Sequence, residues 1–141
     1  MNETRWHTEH TVETQASPET IWTVFRDVET WKQWNPGIER IELEGPFASG
    51  TWFTMQPPGQ DALRSRLLEV AENRGFVDET CVGDLTVTVG HRLEPLQNGR
   101  TRIVYSVDAI GPGASEVGPM VSSDFPEVLA ALATFAEKRR S

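Results

Sequence analysis

Apolar residues at Val121, Phe125, Val128, Leu129, Leu132, Phe135 and Ala136 recur at the three-and-four spacing of one helix face. The spacing predicts a helix over 117–140, and about 20 residues rising ~1.5 Å each make a rod of roughly 30 Å. A rod with one apolar stripe has to be covered, and everything upstream reads as short runs divided by turn signals, the texture of an antiparallel meander. A long amphipathic helix after a run of strands is an α+β arrangement. Pro126 lies inside the pattern, where it lacks an N–H and crowds the carbonyl four residues back, so a kink or a restart is predicted, with Asp124 as its cap. Glu127, Glu137, Lys138, Arg139 and Arg140 form the polar side, and the basic end suits the negative pole of the helix dipole.

Upstream, residues 6–14 alternate Trp6, Thr8, His10, Val12 against His7, Glu9, Thr11, Glu13, which predicts a first strand with Trp6 and His10 facing inward. Ser17-Pro18-Glu19 starts a helix, Ser as cap and Pro at the first helical position, and Ile21, Trp22, Val24 and Phe25 give it an apolar side. Val28, Trp31 and Trp34 continue as a second short helix that Asn35-Pro36-Gly37 stops. Strands are predicted near 38–44, 50–56, 63–72, 75–82, 84–95 and 100–110. Two of them have a clear inside: Leu85, Val87, Val89, His91 and Leu93 on one, and Ile103, Tyr105, Val107 and Ala109 on the other. In 63–72, Leu67 and Leu68 are adjacent, and only a bulge would bring both inside. Trp52 is ambiguous, because its alternation partners Phe53 and Met55 are equally apolar.

The net charge of −8 and the scattering of 13 basic residues argue against nucleic acid or an anionic membrane as partner, since both require clustered Lys and Arg. The single Cys81 excludes an internal disulfide and a cysteine-rich metal site. With no apolar leader and no long apolar run, the chain is expected to be one cytoplasmic domain over 1–141, a monomer or homodimer.

The order strand, two short helices, six strands, long helix carries particular motifs. They are Ser17-Pro18-Glu19 with Trp22, then Asp27-Val28-Glu29-Thr30-Trp31 with Trp34-Asn35-Pro36, then Gly45 and Gly50 before Trp52. Gly90-His91-Arg92-Leu93-Glu94-Pro95, Gly99-Arg100-Thr101-Arg102 and Gly111-Pro112 complete the set. Over nearly its whole length the chain resembles the polyketide cyclase/dehydrase branch of the START-like, Bet v 1-like (SRPBCC) superfamily. The resemblance implies a helix-grip fold: a curved seven-stranded antiparallel sheet around a long C-terminal helix, two short helices after strand 1, and an elongated apolar cavity between sheet and helix. It implies a small-molecule ligand or substrate and no cofactor.

The residues alone lead to the same cavity, because a sheet long enough to wrap a helix is not filled by the helix. The expected lining is Trp6, His10, Trp34, Trp52, Met55, Arg64, Val89, His91, Tyr105, Phe125 and Leu129, with Arg64 or Arg66 inward according to register. His91 beside Tyr105 in an apolar cavity suits general acid–base work in enolisation, aldol closure or dehydration; the same pair also suits a satisfied core histidine packed on a core aromatic. Asp78-Glu79 and Glu42/Glu44 read as solvated strand faces. His7 and His10, three apart on a strand, face opposite sides and do not share a metal, and there is no HExxH, phosphate loop or nucleophile elbow. Two classes of function therefore stand: a carrier or sensor of a lipid- or polyketide-like molecule, gated at Gly111-Pro112-Gly113 and Pro126, or a cofactor-free cyclase/dehydratase using His91 and Tyr105.

Overall fold

The computed structural model describes residues 4–139. Seven strands run β1 (Arg5–Thr14), β2 (Arg40–Leu43), β3 (Trp52–Gln56), β4 (Leu63–Ala71), β5 (Gly75–Val82), β6 (Leu85–Pro95) and β7 (Thr101–Ile110). They form one antiparallel sheet in the order β1-β7-β6-β5-β4-β3-β2, with the short β2 and β1 as its edges. After β1 come α1 (Pro18–Arg26) and, beyond a 3-10 turn, the single-turn α2 (Trp31–Trp34). Ser17 caps α1 by accepting from the Thr20 N–H at 3.1 Å, and Pro18 takes the first turn, where no N–H is needed. This is the helix-grip arrangement.

The C-terminal helix is two helices, α3 (Ala114–Ser122) and α4 (Phe125–Arg139). Pro126 therefore sits in the first turn of α4, where its missing donor costs nothing, and the Val128 N–H bonds the Asp124 carbonyl at 2.9 Å. The predicted kink is thus a restart, with helical structure already under way at Ala114. Arg140, expected in the basic helix end, lies outside the described residues.

Pairing register puts inward-facing side chains into rows that cross the sheet. One row is Val70, Phe76, His91, Tyr105, His10; the next is Leu67, Asp78, Val89, Val107, Thr8. The register shift between Leu67 and Glu69 is the bulge anticipated at the two leucines. It leaves Leu67 fully buried and Leu68 half-buried, and it swaps parity so that Val70, not Glu69, packs on the core. Over the first row lies α1, with Phe25 edge-on to both Phe76 and His91. Over β1 and β7 lie α3 and α4. There Gly118 lets α3 approach so closely that a Cβ would sit 2.1 Å from Trp6 Cε3, while Phe125 meets Tyr105 and His10 edge-on.

On β3, Phe53 is the inward residue, because it stands in the row Leu43, Phe53, Ser65, Thr80. Trp52 faces out and is 38% exposed. The guanidinium groups of Arg64, 4.4 Å from its ring centroid, and Arg66, at 5.8 Å, lie against it, and Arg64 makes a two-bond pair with Glu44 at 2.7 and 2.8 Å. The expectation that Trp52 and either arginine line the interior is corrected by this parity. No helix is long and apolar enough to cross a membrane.

Candidate functional site

The inner face carries a cluster of titratable groups, and the strand register builds it. His91 on β6 stands between Phe76 on β5 and Tyr105 on β7. Its ring stacks on Phe76 at 3.9 Å and meets Tyr105 edge-on at 4.6 Å. Two residues along β5 from Phe76, Asp78 projects to the same side, and its Oδ2 lies 3.9 Å from His91 Nε2. The two side chains are 14% and 10% exposed.

Protonation follows from burial. Nδ1 of His91 donates to the Phe76 carbonyl at 3.2 Å, which fixes the proton on Nδ1 and turns the Nε2 lone pair toward Asp78. Desolvation pushes the imidazole down to about 3, against the weaker pull of that carbonyl bond. Desolvation also lifts the Asp78 carboxyl to about 7, and it raises the Tyr105 phenol, with the Asp78 charge adding to it. At neutral pH the imidazole is thus a neutral acceptor and the carboxyl is poised near half-protonation. Among the described residues neither the Asp78 carboxyl nor the Tyr105 hydroxyl has a hydrogen-bond partner, which leaves both for a bound molecule.

Space beside this cluster is recorded by exposure at positions that should have none. Val89, Asp78 and Thr80 point inward from interior strands, yet all three keep accessible surface, as does Met55. Toward the same end of the sheet the inward-facing Leu63 and Val82 are 41% and 55% exposed. The inner face is therefore covered under α1 and keeps accessible surface along strands β3 to β6.

Of the residues expected to line a cavity, His91, Tyr105 and His10 come together in one row, with Phe125 closing over them and Val89 in the next row. Met55 and Trp6 stand at opposite flanks of the inner face, both half-buried. Leu129 is buried in the core. Trp34 is buried against Trp31, its Nε1 the one buried side-chain polar atom without a partner among the described residues. Trp52 and Arg64 are outside. The expectation of a solvated Asp78 is corrected by register, which pairs it with inward-facing Val89; β5 alternates Phe76, Asp78, Thr80 against Val77, Glu79, Cys81, and neither set is apolar. The signal that could have found it is its place two residues from Phe76, the partner of His91. A wide groove of about 950 Å³ lies largely over outward-facing residues, among them Glu69, Val77, Gly90 and Ser106, and shares only His91 with the expected lining. Among the described residues no group of three or more His, Cys, Asp or Glu could hold a metal ion.

The family described as polyketide cyclase / dehydrase and lipid transport matches residues 5–137. A search of curated proteins finds no match. Among solved structures, the chain is similar to the Zhui aromatase/cyclase from Streptomyces, with a TM-score of 0.81, 20% identity, and 96% of each chain covered. Truncated norcoclaurine synthase from Thalictrum flavum aligns with a TM-score of 0.78, 17% identity, and 99% and 98% covered. A START superfamily protein from Mycobacterium smegmatis aligns with a TM-score of 0.75, 21% identity, and 95% and 99% covered. At these identities the likeness is one of fold.

Proposed function

The chain belongs to the polyketide cyclase / dehydrase and lipid transport family, and on that premise we propose that it binds a hydrophobic or aromatic small molecule between the inner face of the sheet and α3–α4, as a carrier or sensor. The observation that supports this most is the accessible surface on Val89, inward-facing on an interior strand. A well-packed sheet interior leaves no such surface. Walls of Met55, Val89 and Val121 with a few polar groups at the floor are the composition of a small-molecule site.

A second reading is favoured by a separate observation, the approach of Asp78 to His91 beside Tyr105. A carboxyl poised near neutrality beside a neutral imidazole suits cofactor-free cyclisation or dehydration, the carboxylate taking a proton from carbon and the carboxylic acid so formed delivering it to oxygen. In either reading the protein is a cytoplasmic single domain, monomeric or a homodimer, acting without nucleic acid.

Native mass spectrometry of the purified protein, with extraction of any bound molecule, tests the first reading, followed by tryptophan-quench titration against aromatic polyketides, sterols and lipids. A co-purifying apolar mass, or quenching at micromolar ligand (about −8 kcal/mol), is the expected result; no bound mass and no quenching across the panel would sink it. Turnover abolished by His91→Ala while binding survives would select the enzyme.

A further inference from the structure

A ligand site is also defined by the charge it does not contain. The titratable groups facing Asp78 are His91 from β6, Tyr105 from β7 and, at the end of the same row, His10 from β1. The helices over that row present Phe25 from α1 and Phe125 from α4, both apolar. The described Lys and Arg residues are all exposed, save Arg100 and Arg102, which are half-buried. Arg64 and Arg66 flank Trp52 on the outer face, and Arg92, Arg100 and Arg102 pair with Glu13 and Glu94 there.

Resting on the reading that the space under α3–α4 binds a small molecule, we propose that it takes a neutral ligand bearing a hydrogen-bonding oxygen, a ketone, ester or phenol, and turns away carboxylates, free fatty acids included. The chemistry is that of the floor. A carbonyl oxygen can accept from the Tyr105 hydroxyl or from protonated Asp78, and a phenol can donate to His91 Nε2 or to the Asp78 carboxylate. A carboxylate entering the same place would lose its water without meeting a cation, beside a group that itself becomes an anion as pH rises, and such burial is strongly unfavourable. A carrier of fatty acids in this position would need an inward Arg or Lys, and the parity of β3 and β4 sends Arg64 and Arg66 to the other face.

Calorimetric titration near neutral pH with methyl naphthoate and with naphthoate, which differ by one methyl group and one charge, tests this on the intact chain. The ester is expected to bind at least about tenfold tighter than the anion, the ratio that corresponds to ~1.4 kcal/mol. In Asp78→Asn, which keeps shape and removes the charge, the ratio of ester to anion affinity is expected to narrow through better binding of the anion, whatever the ester itself loses with the carboxyl. A smaller ratio in the wild type, or tighter binding of the anion, would overturn the inference while leaving an open binding site. An unchanged gap in a folded Asp78→Asn would overturn its assignment to this cluster. Binding of neither compound would overturn the site itself, and the inference with it.

Discussion

Replacing Asp78 with Asn should stabilise the protein increasingly as pH rises. The native carboxyl is held at about 7 against an ordinary value of 3.8. Between these values the native state keeps a proton that the unfolded chain has released, so Asp78 makes stability fall with rising pH. His91 acts oppositely. Its native value of about 3 lies below 6.5, so between those limits the unfolded chain binds the extra proton and stability rises with pH. At ~1.4 kcal/mol per pH unit, the two displacements each correspond to roughly 4 to 5 kcal/mol, and over the shared window the two slopes nearly cancel. Asp78→Asn removes one of them. Its stability relative to wild type should be unchanged near pH 4 and climb by about 1.4 kcal/mol per pH unit to a gain of roughly 4 kcal/mol above pH 7. His91→Gln should leave the other slope alone, giving a protein that loses stability from about pH 4 to 7. Urea denaturation of the three proteins across this range reads it directly, and taking differences from wild type removes the surface carboxylates common to all. Parallel curves for wild type and Asp78→Asn would refute the reasoning that places this carboxyl in the interior.

Gly118→Ala would put a methyl group 2.1 Å from Trp6 Cε3, and overpacking of this kind costs about 1–3 kcal/mol. Denaturation should show the cost relieved in a Trp6→Ala background; additive effects would mean that α3 does not press on that ring. Trp52→Ala and Arg64→Ala act on the outer face, so each should leave ligand affinity unchanged by titration; a loss of affinity in either would mean that this face takes part in binding. Glu137 accepts from the Thr14 hydroxyl at 2.6 Å and the Gln15 N–H at 3.1 Å. Glu137→Ala should therefore cost about 1–3 kcal/mol, read as a lower denaturation midpoint and faster amide exchange at Gln15.

How far residues alone reveal this arrangement depends on whether a strand's two faces differ. In β1, β6 and β7 one face is apolar and the other polar, so Trp6, His10, Val89, His91 and Tyr105 could be turned inward on paper and are found there. In β3 large apolar side chains stand on both faces, Trp52 on one and Phe53 and Met55 on the other, and pairing through Leu43 and Ser65 turns Phe53 in and Trp52 out. In β5 neither face is apolar, so an inward Asp78 has no local mark; its orientation comes from β6, through the pairing of Phe76 with His91. The bulge in β4 was visible as adjacent leucines, but its consequence, the exchange of parity that brings Val70 inward, needs the register of both neighbours. Pro126 marked a discontinuity without saying on which side it falls, since proline at a first helical turn and proline inside a helix look alike in sequence.

The central claim, that the inner face under α3 and α4 receives a small molecule, is tested most directly by methyl-resolved NMR of the protein titrated with methyl naphthoate. The account predicts shift changes and ligand-to-protein contacts at Val89, Met55 and Val121, with none at Val77. Contacts at Val77 and Ala71, in the outer groove, with Val89 and Met55 undisturbed, would contradict it.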